Sequence, residues 1–473
     1  MSFLSIRFGI FLLVLFILYY TLFKKNQWLL LLAGSLVFYF CSVPYFLLYV
    51  FFSIFTAYFT ALYMNGRKWP IILTLVVNIG ILTVLKLPCS SLLMPLGISF
   101  YTFMTISYLM DVYWGIIKPE KNFLKYALYI LYFPHITQGP IDSYSDISKD
   151  LYGDHEFDIV NIKEGLYRLV VGLFKKLVIA GRLAVYVDTV YGSPKEYGGL
   201  TLLLATLFYA VQMYCDFSGY MDMAVGASRM FGIKITENFN LPYFSQSIAE
   251  YWRRWHITLG AFFRTYVFYP VIRSNMCRRI SKSLKGKVSK SFAASFTTCI
   301  GLACVWLLTG LWHGISGHYV LHGIYHGLII MISTLLAGKY GKWKRTLKIN
   351  EDSAIFHGFR MVRTFILVDI SYILFRARSV SDAFYIMKQI FGNLIINSDE
   401  IKAAVLPFTG DNTSVSYLLV TMLAVCMLFI AEVFDINGLK FFKKHRYLTV
   451  TIMVIMTALF GIFGQSSFLY MAY

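Results

Sequence analysis

Long apolar runs separated by short polar loops set the pattern of this chain. A spanning helix needs about 20 apolar residues, and runs of that order recur at 3–23, 69–85, 92–117, 201–231, 292–311, 319–336, 417–434 and 448–463. The stretch 27–64 is too long for one crossing and, broken near Pro44, predicts two helices. Segments at 164–183 (amphipathic, with Lys175, Lys176 and Arg182), 245–271 and 362–375 complete the set. The count expected is roughly 11 to 13 hydrophobic segments, and the fold class is an all-α polytopic membrane protein. A short run at 123–133 ends in Pro134-His135-Ile136-Thr137-Gln138-Gly139-Pro140, where Gly and Pro predict a break. Non-helical backbone at membrane depth has to line protein or water, so this break is expected inside the molecule. The first run lacks a basic leader and a small-residue cleavage site, so it reads as a retained span.

Charge then orients these helices. The segment 273–290 carries Arg273, Arg278, Arg279, Lys282, Lys285, Lys287 and Lys290 and no acid. Further basic clusters follow at Lys339, Lys342, Lys344, Arg345 and Lys348, and at Lys440, Lys443, Lys444 and Arg446. Short basic loops mark the cytoplasmic side. Two such loops flank the runs 292–311 and 319–336, which puts the turn at 312–318 at, or recessed from, the opposite face. The same parity leaves 466–473 outside. The long region 397–414 carries an acidic patch and no excess base.

Composition agrees: 58% of residues are hydrophobic and 14% charged, against roughly 25% charged in soluble domains. The net charge of +19 invites a nucleic-acid reading. We reject it, because the cations sit in membrane loops and no soluble basic domain exists to carry such binding. Seven cysteines lie scattered without a CxxC pair, the pattern of buried free thiols rather than a disulfide framework.

Ionisable groups inside apolar runs are costly and by default line a site, a wet cavity or a protein interior. They concentrate between Asp216 and His326. His313 closes the 292–311 run within Leu311-Trp312-His313-Gly314. A neutral imidazole there can take a proton from a hydroxyl and return it to a leaving thiol; it can equally be a packing histidine. His256 lies in Trp252-Arg253-Arg254-Trp255-His256, where Arg253 and Arg254 offer forks for phosphate or carboxylate. The same cluster reads as an interfacial anchor. His318, His322 and His326 share one helix face by their spacing. With no acid in the run, cavity lining or interhelical hydrogen bonds fit better than a metal site, so no metal is expected. Asp216 and Asp222 fall on different helix faces and make no paired-carboxylate site; Asp216, Ser218 and Arg229 read as buried polar contacts. Ser218 lacks a GxSxG setting, and no Walker or GxGxxG loop occurs.

Several motifs in order give the chain a family likeness. They are Pro95-Leu96-Gly97-Ile98-Ser99-Phe100-Tyr101-Thr102-Phe103, Phe133-Pro134 through Gly139-Pro140-Ile141, and Asp216-Phe217-Ser218-Gly219-Tyr220 with Asp222. Phe239-Asn240-Leu241-Pro242-Tyr243, the run from Trp252 to Leu259, Gly310-Leu311-Trp312-His313-Gly314 and Gly323-Ile324-Tyr325-His326-Gly327 follow. Over about residues 91–330 the sequence resembles the membrane-bound O-acyltransferase (MBOAT) family, and within it the branch of the alginate O-acetylation membrane subunit, near the teichoic-acid D-alanyl transfer branch. Gly260, Thr265 and His135 depart from the family pattern, standing where Ser, Asp and Gln are usual; this bears on substrate rather than on acyl transfer.

The resemblance implies a ring of helices around a thinned centre, with a funnel from each face. It divides the chain into N-terminal transmembrane helices (1–90), the catalytic core (91–340), and C-terminal transmembrane helices with an aromatic tail (341–473). His313 would be the catalytic histidine and His256 the second active-site histidine. Trp252, Arg253, Arg254, Asp216, Ser218, Trp312 and His326 are candidates for substrate or donor binding. The ending Phe468-Leu469-Tyr470-Met471-Ala472-Tyr473 is similar to that of the alginate branch, and Tyr470 is a candidate acyl carrier; an interfacial aromatic belt is the competing reading. The function implied is transfer of an acetyl group from a cytoplasmic thioester, acetyl-CoA, across a bacterial cytoplasmic membrane for O-acetylation of a surface polysaccharide. No cofactor is bound. The partners implied are the bilayer, the thioester donor, an extracytoplasmic SGNH-type transferase and the polysaccharide acceptor. D-alanyl transfer to teichoic acid, a peptidoglycan O-acetyltransferase subunit and a non-enzymatic transporter are the alternatives; against the last, no paired repeat with matched broken helices is found.

Overall fold

A computed structural model describes residues 1–42, 47–86, 95–284, 286–409, 415–436 and 445–463. Among the described residues the regular structure is helical, and an isolated bridge pairs Phe239 with Trp255. Five helices are long and apolar enough to cross a membrane: Lys68–Leu85, Gly199–Met230, Lys290–His313, Gly317–Thr346 and Tyr417–Phe434. Five shorter apolar helices accompany them, Ile6–Thr21, Gln27–Ser42, Leu47–Tyr63, Ile257–Ile272 and Arg446–Phe460. The chain is thus built as a polytopic membrane protein. Two expectations change in detail. The basic segment after Arg273 is no simple loop: it holds an amphipathic helix, Asn275–Leu284, with Cys277 inward and Arg278, Arg279 and Lys282 exposed. The 319–336 run continues through its basic flank as one helix, Gly317–Thr346.

The contacts divide into two compact units, both discontinuous in sequence. The first comprises Met1–Arg182, Met213–Glu237 and Ala424–Tyr473. Its centre is a seam between Ile159–Phe174 and the later half of Gly199–Met230. Small residues make that seam close: a Cβ on Gly165 would meet the Gly226 carbonyl at 2.6 Å, and one on Gly172 would strike the Gly219 carbonyl. Close backbone approach of this kind is how helices associate where lipid removes the hydrophobic drive. A π-helical turn, Lys175–Ala180, follows and directs two consecutive lysines at the same partner helix. The predicted break at 134–140 is non-helical and wholly buried in protein. His135 Nε2 there donates to the Tyr129 carbonyl at 2.9 Å. Gly97 begins Ile98–Tyr113 at φ +72°, and any side chain at this position would collide with the Ile136 carbonyl. The motif around Gly97 and the break at 134–140 are therefore one packed feature.

The second unit comprises Leu183–Gln212 and Asn238–Leu423. It is organised on the hairpin of Lys290–His313 and Gly317–Thr346, joined by a three-residue turn at 314–316. Here too glycines set the spacing: a side chain on Gly323 would strike the Trp306 carbonyl, and a Cβ on Gly310 would sit 2.9 Å from the Tyr319 carbonyl. Ala354–Arg376 lies along the second arm and accepts its histidines. His322 Nδ1 donates to Ser371 O at 3.1 Å and His318 Nδ1 to Leu374 O at 3.2 Å. The interhelical bonds expected of that histidine face do form at these two positions.

Candidate active site

The site is assembled where the hairpin turns. His313 is the last residue of its helix, and Gly314 continues in extended backbone. The residue is 4% exposed, and its ring meets Phe375 edge-on at 4.8 Å, Trp312 at 4.5 Å and His322 at 6.2 Å between centroids. A helix that stops at this residue leaves it beside a turn rather than inside a continuous ladder, which is what a reacting group needs.

His256 reaches the same place from short elements. The helices Ile248–Arg254 and Ile257–Phe263 are separated by a sharp turn in which His256 takes a left-handed conformation, φ +46° and ψ 55°. Such a conformation costs a non-glycine residue about 1–2 kcal/mol and persists only where neighbours enforce it. The neighbours are a local pairing: Ile257 N donates to Asn238 O at 3.0 Å, and Asn240 N to Arg254 O at 2.9 Å. Asn238 also fixes the ring. Its Oδ1 accepts from Thr258 N at 3.0 Å, so this atom is the amide oxygen, and the His256 Nδ1 facing it at 3.2 Å must be the donor. In the neutral ring Nε2 is then the basic nitrogen, a tautomer set by the second-nitrogen contact. Trp312 links the two histidines: its ring lies 6.2 Å from His256 and 4.5 Å from His313.

A cavity of about 360 Å³ opens against His256, lined by Trp252, Arg253, Gly260, Trp306 and Thr309 among others. That volume lies within the range usual for small-ligand sites, about 300–1,000 Å³. Its walls are mainly apolar, with one guanidinium at Arg253 and another at Arg264. Neither His313 nor Trp312 is in this lining; Trp312 approaches it only through its contact with His256.

The other candidates separate. Trp252 is on the wall, packed on Trp306 at 4.9 Å and on His326 at 5.1 Å. His326 is fully buried against both of these indoles, with neither ring nitrogen hydrogen-bonded among the described residues. Arg253 is exposed and faces the cavity, whereas Arg254 is held by Glu250 at 2.8 Å. Asp216 and Ser218 belong to the first unit: Asp216 pairs with Lys176, and Ser218 Oγ accepts from Lys175 at 3.4 Å. Tyr470 lies outside the described residues. Sequence reasoning passed over Asn238, Phe375, Trp306 and Thr309. Asn238 adjoins a quoted motif and was in reach; Phe375 arrives from a helix some sixty positions later, and nothing local in the sequence signals it.

With the geometry in place, comparison with known proteins gives the class. Residues 118–342 match the membrane-bound O-acyltransferase family (MBOAT), so the central segment of the chain belongs to that family. The chain is 35% identical over 300 residues to the probable alginate O-acetylase of Pseudomonas aeruginosa, covering 63% of this chain and 52% of that protein. It is 30% identical over 329 residues to the peptidoglycan O-acetyltransferase of Helicobacter pylori, covering 64% of this chain and 57% of that one. A teichoic acid D-alanyltransferase of Bacillus subtilis is 30% identical over 264 residues, covering 55% and 63% respectively. The chain spans about half the length of the alginate O-acetylases it matches.

Proposed function

We propose that this protein is a membrane O-acyltransferase that moves an acetyl group from a cytoplasmic thioester, acetyl-CoA, to a hydroxyl on the far side of a bacterial cytoplasmic membrane, for O-acetylation of a surface polysaccharide. His313 takes the proton of the attacking hydroxyl; the new ester C–O bond forms at the thioester carbonyl as the C–S bond breaks, and the same proton passes to the departing thiolate. His256, its Nδ1–H held by Asn238 and its Nε2 carrying the lone pair, orients the thioester in a chamber of low dielectric, where polar contacts gain strength. An SGNH-type transferase outside completes delivery to the sugar, with Tyr470 as a transient carrier of the acyl group.

The observation that carries this reading is the shared Trp312: two histidines from distant segments meet one indole, and one of them walls a cavity large enough for an acyl thioester. The O-acetylase and O-acetyltransferase relatives point the same way. Incorporation of labelled acetate into surface polymer by wild type, and its loss in His313→Ala at equal protein level, is the test; retained incorporation removes the assignment. Label from D-alanine in place of acetate would favour the D-alanyl alternative, which the Bacillus subtilis relative keeps in view. Tyr470→Phe with full acetylation would remove the carrier.

A further inference from the structure

The segment 362–375 belongs to Ala354–Arg376, and the bonds of His318 to Leu374 O and of His322 to Ser371 O hold its Arg376 end beside the start of Gly317–Thr346. That end lies away from the basic flank 339–348, so it meets the membrane face opposite the cytoplasmic loops. After three residues, 377–379, another helix begins, Val380–Gly392. The corner is fixed: Asp382 N donates to Ser379 Oγ at 3.0 Å, and that hydroxyl donates to Asp382 Oδ2 at 2.9 Å. Ala383, Ile386 and Ile390 are buried, and a Cβ on Gly317 would lie 3.3 Å from Val380 Cγ2. The helix is therefore packed against the arm that begins just past the turn at 314–316, where His313 sits.

Its other face is unlike that of a helix in water. Phe384 is 58% exposed and Phe391 66%, and the exposed Lys388 stands between them on the same face. Exposed Leu394, Ile395 and Ile396 follow directly. Polar groups at the end of the helix are taken up locally, Asn393 Nδ2 donating to Gln389 Oε1 at 3.0 Å. With 13 residues the helix is about 20 Å long, too short to cross a hydrocarbon core of about 30 Å. An amphipathic helix that leaves a crossing by a short corner lies at the boundary of the bilayer. Phenyl rings with a lysine among them match that depth, since the rings enter the acyl region while the ammonium reaches headgroup oxygens.

We propose that Val380–Gly392 is an interfacial helix whose partner is the lipid leaflet opposite the basic loops. Phe384 and Phe391 enter the leaflet, Lys388 meets its headgroups, and the helix so fixes the level of the turn beside His313. Lipid suits this face better than a protein does, because the face continues the lipid-exposed side of the crossing before it, where Phe359, Val362 and Ile366 are exposed. The contact needs only that Ala354–Arg376 crosses the membrane; its tie to the turn rests on the acyl-transfer reading.

The test places the photocrosslinker benzoylphenylalanine at position 391 of the full chain in native membranes, and at position 366 as a reference within the crossing. Irradiation should give lipid adducts at both positions, joined near the glycerol end of the acyl chain at 391 and farther along it at 366. Protein adducts at 391, no lipid adduct there, or attachment as deep as at 366 overturns the proposal. Phe384→Ser with Phe391→Ser should lower labelled-acetate incorporation about tenfold or more at equal protein level, and the Leu pair should stay within about twofold, because small misplacements of a reacting group are expensive. Unchanged incorporation in the Ser pair overturns the tie between this helix and the turn. If wild type itself incorporates no acetate, the acyl-transfer reading falls with that tie, and the adducts alone decide the lipid contact.

Discussion

The two units bury polar groups in opposite ways. In the first, charge answers charge: Lys175 meets Asp222 at 2.8 Å, Arg168 meets the same carboxylate at 2.7 Å, and Lys176 meets Asp216. Tyr214 donates to Glu432 at 2.5 Å beside them. The glycine seam at Gly165 and Gly172 brings the backbones close enough for these pairs to form. In the second unit the buried polar groups around the cavity are imidazoles and indoles, and the buried carboxylate of Asp369 is answered by the Thr206 hydroxyl rather than by a cation. The imidazoles are held one nitrogen at a time, by Asn238, Ser371 or Leu374. A run of apolar residues interrupted by an ionisable one looks the same in both units. What differs is compensation: paired charges hold helices together, whereas neutral rings beside a cavity keep a nitrogen for chemistry.

The comparison breaks most visibly at His313. Replacement by Ala should lower acyl transfer by about 10²–10⁴-fold, the usual worth of positioned acid–base catalysis, while the folded protein is recovered at wild-type yield. A comparable loss of yield would make His313 a packing residue. Lys176→Ala should do the reverse. Removing one partner of a buried pair typically costs about 3–5 kcal/mol, so the expected result is a large fall in folded protein and in thermal midpoint. Lys176→Leu together with Asp216→Leu should restore most of it, because the pair is then absent rather than broken. If activity vanished in that double variant at full stability, the first unit would hold donor-binding chemistry after all.

Asn238→Ala sharpens the contrast from inside the second unit. It removes the acceptor that sets the His256 tautomer and serves both Thr258 N and Thr258 Oγ1 at 3.0 Å. Loss of a buried partner costs about 1–3 kcal/mol, here divided between stability and turnover. An orienting role predicts that kcat falls more than KM changes, by about tenfold; a purely structural role predicts a lower thermal midpoint with kcat intact.

Much of this was legible beforehand. The helical class, the buried break at 134–140, the helix ending at His313 and the histidine face of 318, 322 and 326 follow from hydropathy, Gly and Pro placement and residue spacing, all local signals. The pairing of Lys175 and Lys176 with Asp222 and Asp216 was hidden, because a π-helical turn alters the direction of both lysines and no composition signal announces one. Arg253 and Arg254 look equivalent in sequence. The structure separates them only because Glu250 stands four residues before Arg254, and that spacing was available to be read.

The smallest effect is expected at Gly260, where the sequence departs from the family pattern that the motifs imply. The residue lines the His256 cavity, and a Cβ built there would have the Trp252 carbonyl at 3.4 Å as its only near neighbour among the described residues. Gly260→Ser therefore fits without displacing backbone, and a residue in the helix Ile257–Phe263 gains from losing glycine by a few tenths up to about 1 kcal/mol. The hydroxyl enters the chamber wall and takes volume from it. Stability should rise slightly, and turnover with the native acyl group should change by no more than about fivefold, the low end of the roughly 1–3 kcal/mol by which one small group in a pocket of this kind alters discrimination. The sharper readout is selectivity between acetyl and longer acyl thioesters, which should shift toward acetyl as the wall fills. An unchanged acyl-length profile would mean that the acyl chain does not lie against Gly260, and the cavity beside His256 would then have to hold some other part of the donor.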